Sequence, residues 1–204
     1  MSRYTGPVTR LSRRLGVALF TNGESKNKAY SKKNFKPGQH GQKRFAQMSE
    51  YSKQLCEKQK ARFMFGLTEK QSKKYYTMAT KSTEVTGVKY LSLIEQRIDN
   101  VLYRAGLAQT RPQARQLASH GLILLNGKKI NTPSILVKVG DKFEVREKSK
   151  SSKIFEEIKK AKYKAPKWLK ADLPGLKGEV TGVPDKDDIE NIIEYQLITE
   201  YYSK

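Results

Sequence analysis

The amino-acid sequence predicts an α+β protein: a basic amino-terminal arm, a helical domain, and a small α/antiparallel-β module inserted before a C-terminal helix. Three observations predict it. Leu91, Ile94, Ile98, Val101, Leu102 and Ala105 recur at helical spacing. Ile123-Leu124-Leu125 and Lys128-Lys129-Ile130 flank Asn126-Gly127, a strong hairpin signal. Ahead of both lies a stretch rich in Lys and Arg but poor in apolar residues, which cannot offset its own ordering entropy by burial.

That stretch is residues 1–46, with 11 Lys/Arg against the single acid Glu24. Gly6-Pro7, Asn22-Gly23 and Pro37-Gly38 punctuate it. Tyr4, Phe20, Tyr30 and Phe35 are interleaved with the charges, where they can stack on bases or sugars. A disordered solubilising arm is one reading. An arm that orders on RNA is the other, and the nearly one-signed charge favours it.

Residues 47–90 read as helical. Tyr51, Leu55, Cys56, Arg62 and Phe63 mark a helix closed by Gly66, with Cys56 as core filler. Thr68-Glu69-Lys70-Gln71 is a capping box opening a helix to about Thr80. At least one of Tyr75 and Tyr76 is expected in the core. Lys81 to Lys89 reads as a polar link.

Residues 91–150 form the module. Gly106 stops the helix that starts near Leu91. Thr110 and Gln113 make a second capping box, with Pro112 in the first turn. Ala114, Leu117 and Ala118 give the buried stripe, and Gly121 the left-handed exit. Phe143-Glu144-Val145-Arg146 alternates like a half-buried strand. Arg97, Asn100 and Arg104 are expected on one helix face, and Arg111 with Arg115 on another. Lys128 and Lys129 follow the turn. Converging arginines suit phosphate, because guanidinium donates two parallel hydrogen bonds. The alternative is a merely solvated face.

Residues 151–204 form a return segment. Ile154, Phe155 and Ile158 predict a short helix, and Trp168 a packing anchor. Pro174-Gly175, Gly178 and Gly182 mark a loop-rich or hairpin return. Pro184 to Asp188 opens a last helix, near 185–198, whose stripe of Ile189, Ile192, Ile193 and Leu197 completes the helical domain.

Charge bears on the alternatives. The 204 residues carry a net charge of +21, and residues 151–204, with 10 cations and 10 anions, contribute none of it. A field of that kind attracts polyanions, with nucleic acid ahead of anionic membrane. No apolar run approaches the roughly 18 residues of a spanning helix, and Leu15 to Phe20 is too short for a signal peptide. One cysteine and two distant histidines leave no disulfide and no structural zinc site, which fits the cytosol. No cofactor motif appears. Gly121 to Lys128 fails as a phosphate loop in spacing and in reading as a strand. His40 lacks a partner as a general base.

The motifs resemble a known family. Arg3-Tyr4, Gly6-Pro7, Ser12-Arg13-Arg14, Pro37-Gly38-Gln39-His40-Gly41, Glu57-Lys58-Gln59-Lys60, Arg97-Ile98-Asp99-Asn100-Val101, Thr110-Arg111, Ala114-Arg115-Gln116-Leu117, His120, the strand before Asn126-Gly127, and Tyr202-Ser203-Lys204 resemble the bacterial ribosomal protein S-four family of the small subunit. The resemblance covers essentially the whole chain. It implies a structural ribosomal RNA (rRNA)-binding protein, not an enzyme, in the cytoplasmic small subunit. Such proteins bind the five-prime domain of the rRNA early in assembly, adjoin ribosomal protein S-five, and line the messenger RNA entry, where they bear on accuracy. By position it implies rRNA contacts at Arg3, Arg13, Arg14, His40, Lys58, Arg97, Asn100, Arg104, Arg111, Arg115 and His120, to which the hairpin adds Lys128. Lys43 and Arg44 would lie toward the messenger entry. Some relatives carry a zinc-binding cysteine cluster in the arm; this one has none. An RNA-modifying enzyme sharing the module, such as a pseudouridine synthase, would need a second catalytic domain for which the flanks are too short. A free RNA-binding stress or repressor factor is the other rival.

Overall fold

Two left-handed glycines and two side-chain caps set the helix limits near the amino terminus. Helix α1 (Val8–Leu15) starts behind Pro7 and ends at Gly16, φ +70°. Helix α2 (Glu50–Met64) is capped by Ser49, whose hydroxyl accepts from the Ser52 amide. It closes at Gly66, φ +62°, with the Leu67 amide returning to the Arg62 carbonyl. Helix α3 (Glu69–Ala79) has the expected capping box in full: the Thr68 hydroxyl accepts from the Gln71 amide, and the Gln71 side chain accepts from the Thr68 amide. The computed structural model describes residues 4–19, 30–42, 48–160, 163, 165–185, 188 and 192–203.

The chain divides into two units, Met1–Lys89 with Asn191–Lys204, and Tyr90–Glu190. In the first, the last helix, α8 (Tyr195–Ser203), lies along α2. Gln54 Nε2 donates to Glu200 (2.9 Å), the Ser72 and Tyr202 hydroxyls are 3.0 Å apart, and the Tyr76 and Tyr202 rings lie 4.6 Å apart. Tyr75, Ala61, Met64, Phe65, Leu67 and Ile198 form the core. The last helix thus starts later than 185. Asp185 and Asp188 close a short turn on each other instead of opening the helix. Ile193 is buried as expected, whereas Ile189 lies outside the described residues.

In the second unit the helix predicted through Leu91 and Ala105 is broken in two. Helix α4 (Thr86–Glu95) begins inside the stretch expected as a polar link, and α5 (Ile98–Arg104) restarts after Arg97, whose ψ of +140° is extended. The interruption has a cause in the chain ahead. The Ile98 amide donates to the Ile135 carbonyl, the Val137 amide to the Gln96 carbonyl, and Arg97 bridges Leu136. Backbone groups that a continuous helix would have used internally are spent on residues 133–137.

Helix α6 (Arg111–Ser119) keeps half of its predicted box. The Thr110 hydroxyl accepts from the Gln113 amide, while Gln113 Oε1 accepts from the Gln109 amide (2.8 Å). The hairpin is as read: β1 (Ile123–Leu125) turns through Asn126 and Gly127, both at positive φ, into β2 (Lys128–Lys129). β3 (Lys142–Val145) pairs with β1. A 3-10 turn (Glu147–Ser149) and α7 (Lys153–Lys160) follow. β4 (Leu169–Asp172) and β5 (Lys177–Val180) then extend the sheet beyond residue 150, in the order β2-β1-β3-β5-β4, antiparallel throughout. Gly178 permits this: a Cβ there would fall 2.5 Å from Phe143 Cζ and 2.7 Å from the Lys170 carbonyl. Phe143, Val145, Phe155, Ile158, Trp168 and Leu176 join the α5–α6 stripes in one core. No described helix is long and apolar enough to cross a membrane.

Candidate nucleic-acid interface

Two buried carboxylates organise the basic residues of the second unit. Glu95, at the end of α4, has a side chain 1% exposed. Its two oxygens take the fork of Arg104, Nη2 at 2.6 Å and Nε at 3.2 Å, with Arg111 Nη2 at 3.8 Å. Asp99, in the first turn of α5, accepts from Arg97 Nε (3.0 Å) and Nη2 (2.6 Å), from the Asn100 amide (3.0 Å) and from Arg115 Nη1 (3.2 Å). Four guanidinium groups thus share two carboxylates, which leaves a local surplus of positive charge.

Burial sorts the four. Arg97 is 0% exposed and Asn100 is 1% exposed, with its side-chain amide donating to the Ile94 carbonyl. This corrects the expectation of a shared outward face for Arg97, Asn100 and Arg104. Arg97 caps α5 from outside it, and its charge points inward at Asp99. Arg104, Arg111 and Arg115 are partly exposed and held in place by those acids, so the rotamer freedom of a long side chain is largely lost before any ligand arrives. Arg111 also lies 4.5 Å over the ring of Tyr103.

Tyr163 belongs to the same place and was not read from the sequence. Its ring covers Gly106, where a Cβ would fall 2.7 Å from Tyr163 Cδ1, and it is 46% exposed. Burial of its inner edge pushes the phenol pKa up, while the charges of Arg104 and Arg111 pull it back. The available signal was an aromatic within the basic run Lys159 to Lys164, the same interleaving that marked the arm. An open aromatic face beside arginines can stack on an unpaired base.

At the far end of α6, about 14 Å along it at 1.5 Å per residue, the exposed His120 follows the last helical turn. Lys129 crosses Gly121 beside it, its Cε lying where a Cβ would have to sit. Lys128 is exposed at the hairpin.

In the first unit Arg14 and His40 are exposed. Arg13 is half-buried: its Nε donates to the Phe35 carbonyl (3.0 Å) and its guanidinium lies 4.7 Å over the Phe35 ring. Lys58, expected as an RNA contact, is 4% exposed and inside. Its Nζ sits 2.9 Å from Glu69 and 4.5 Å over the Tyr201 ring, and this corrects that expectation too. Burial alone would push the Glu69 carboxyl up, but Lys58, Tyr202 and Arg62 together hold it below the usual range. Arg3, Lys43 and Arg44 lie outside the described residues. Among the described residues no His, Cys, Asp and Glu group could hold a metal ion.

Residues 3–95 match the family described as ribosomal protein S4/S9 N-terminal domain, and residues 96–143 match the S4 domain. Along its full length, and theirs, the chain is 47% identical to small ribosomal subunit protein uS4 of Caldicellulosiruptor saccharolyticus. It is 46% identical to those of Persephonella marina and Clostridioides difficile over the same full span. The chain belongs to the uS4 family. Members of this family are structural ribosomal proteins rather than enzymes. The S4 domain of this uS4-family chain takes in Arg97, Arg104, Arg111, Arg115, His120 and Lys128, so the carboxylate-held cluster lies almost wholly inside it.

Proposed function

We propose that this chain is a structural rRNA-binding protein of the cytoplasmic small ribosomal subunit. It binds the five-prime domain of the rRNA early in assembly, adjoins ribosomal protein S-five and contributes to the messenger RNA entry and to accuracy through its arm. The observation that carries the reading is the cluster of Arg104, Arg111 and Arg115, fixed by Glu95 and Asp99 and flanked by Tyr163. Guanidinium groups held on rigid helices suit phosphates of a folded RNA junction, recognised through backbone geometry more than base edges. The charge of +21 supplies long-range attraction.

Binding of the full chain to a five-prime-domain rRNA transcript, titrated from 50 to 200 mM salt, tests this. With 6–10 phosphate contacts, affinity should fall about 10³–10⁵-fold over that range. Arg111→Ala should reduce the log–log slope by about 0.7–0.9. Salt-independent binding, or equal affinity for an unrelated transcript, overturns the reading.

A further inference from the structure

Helix α3 carries charge that its own stability does not explain. Its buried side is Ser72, Tyr75 and Ala79. Its outer side presents Lys70, Lys73, Lys74, Thr77 and Met78, followed by Lys81 just past its end, and all six are exposed. The spacing of three, one, three, one and three places them in a single stripe, about 16 Å long at 1.5 Å per residue. They line a shallow depression of about 450 Å³.

Helix α2, in the same unit, neutralises its cations. Lys53 pairs with Glu50 (2.7 Å), Lys60 with Glu57, and Lys58 and Arg62 with Glu69. The four lysines of the stripe make no ion pair among the described residues. Glu69, the one acid of α3, is engaged by Lys58, Arg62 and Tyr202. The placement also opposes the helix dipole. Lys70, Lys73 and Lys74 crowd the positive N-terminal half, and the last turn, where cations are favourable, has none. Lys70 and Lys74 are like charges one turn apart, a repulsive spacing. Three local rules are broken in the same direction, and an external polyanion would relieve all three.

We propose that this stripe is a second phosphate surface, receiving the backbone of an RNA duplex. The proposal rests on the rRNA-binding reading above and adds a contact distinct from the arginine cluster. Lysine donates as a mobile point charge without a fork, and no aromatic residue stands among the six. The stripe therefore suits duplex backbone rather than splayed bases.

The test uses the full chain on the five-prime-domain rRNA transcript with three variants. K70Q/K73Q/K74Q/K81Q removes the stripe while keeping good helix formers. K70R/K73R/K74R/K81R keeps the charge. K142Q/K170Q/K177Q removes lysines on the sheet that stand in register with Glu179, Glu144 and Asp172. The expected result is a log–log salt slope shallower by about 0.7–0.9 per lost contact for the stripe variant alone, with wild-type slopes for the arginine and sheet variants. A steep wild-type slope that the stripe variant leaves unchanged overturns this proposal and spares the functional reading. A stripe variant that keeps the slope yet fails to enter small subunits overturns it in favour of a protein partner. A wild-type chain without salt-dependent binding overturns both. Because the lysines oppose the dipole and repel one another, the glutamine variant should keep or gain helical circular dichroism signal, and a loss of that signal counts against the proposal. A reduced slope in the arginine variant with its helix intact counts against it.

Discussion

In the first unit Lys58 is enclosed while its carboxylate partner, Glu69, keeps 44% of its side chain in solvent and is shared with Arg62 and Tyr202. In the second, Arg97 has no exposure and Asp99 has 5%, and their two parallel hydrogen bonds are closed to water. The first pair can relax toward solvent if one member is lost. The second cannot. Burial of both partners, rather than of one, is what turns an ion pair into a fixed element of the fold.

The largest effect should come from Asp99→Ala, which leaves Arg97 charged and unpaired by that carboxylate in the interior. We expect a loss of about 3–5 kcal/mol by urea unfolding. A loss no greater than that of Glu69→Ala would mean that burial of both partners does not set the two pairs apart. Glu69→Ala should cost less, about 1–3 kcal/mol, since Lys58 retains the Tyr201 ring. Caps extend the contrast to weaker interactions. Thr68→Ala dismantles a reciprocal box and Thr110→Ala only a single bond, so the first should exceed the second, each near about 1 kcal/mol; thermal midpoints will rank them. The smallest effect is in pH. Glu69 titrates below its unfolded value, so its contribution is present above about pH 4.3 and fades as the pH falls through its folded value. Glu69→Gln should therefore flatten the decline of the urea midpoint between pH 5 and 3. An unchanged decline would show that other carboxylates set it.

Local signals made part of this legible. Asn126-Gly127 demands positive φ and received it. Thr68 with Gln71 foretold a cap, and Phe155 with Ile158 foretold the buried side of α7. Arg97 was misread because the apolar spacing from Ile94 through Ile98 to Val101 runs smoothly across the break. What interrupts the helix lies about forty residues on, at 133–137, where periodicity has no reach. Lys58 was misread for a related reason: its partner sits on the next helix, and a Lys in a basic motif looks like surface. Of the arginine cluster, the residue types and spacings were visible. The acids that hold them were not, because Glu95 and Asp99 look like ordinary solvated charges in sequence.

The packing of α8 on α2 sets an order in time. Synthesis runs from the amino end, so Gln54, Ser72 and Tyr76 emerge more than a hundred residues ahead of Glu200, Tyr202 and Thr199, which they bond. The sheet of the second unit already has its final strand at Val180. The unit begun first by the ribosome is the one completed last, and a nascent chain stalled before residue 195 would leave it with an uncovered flank.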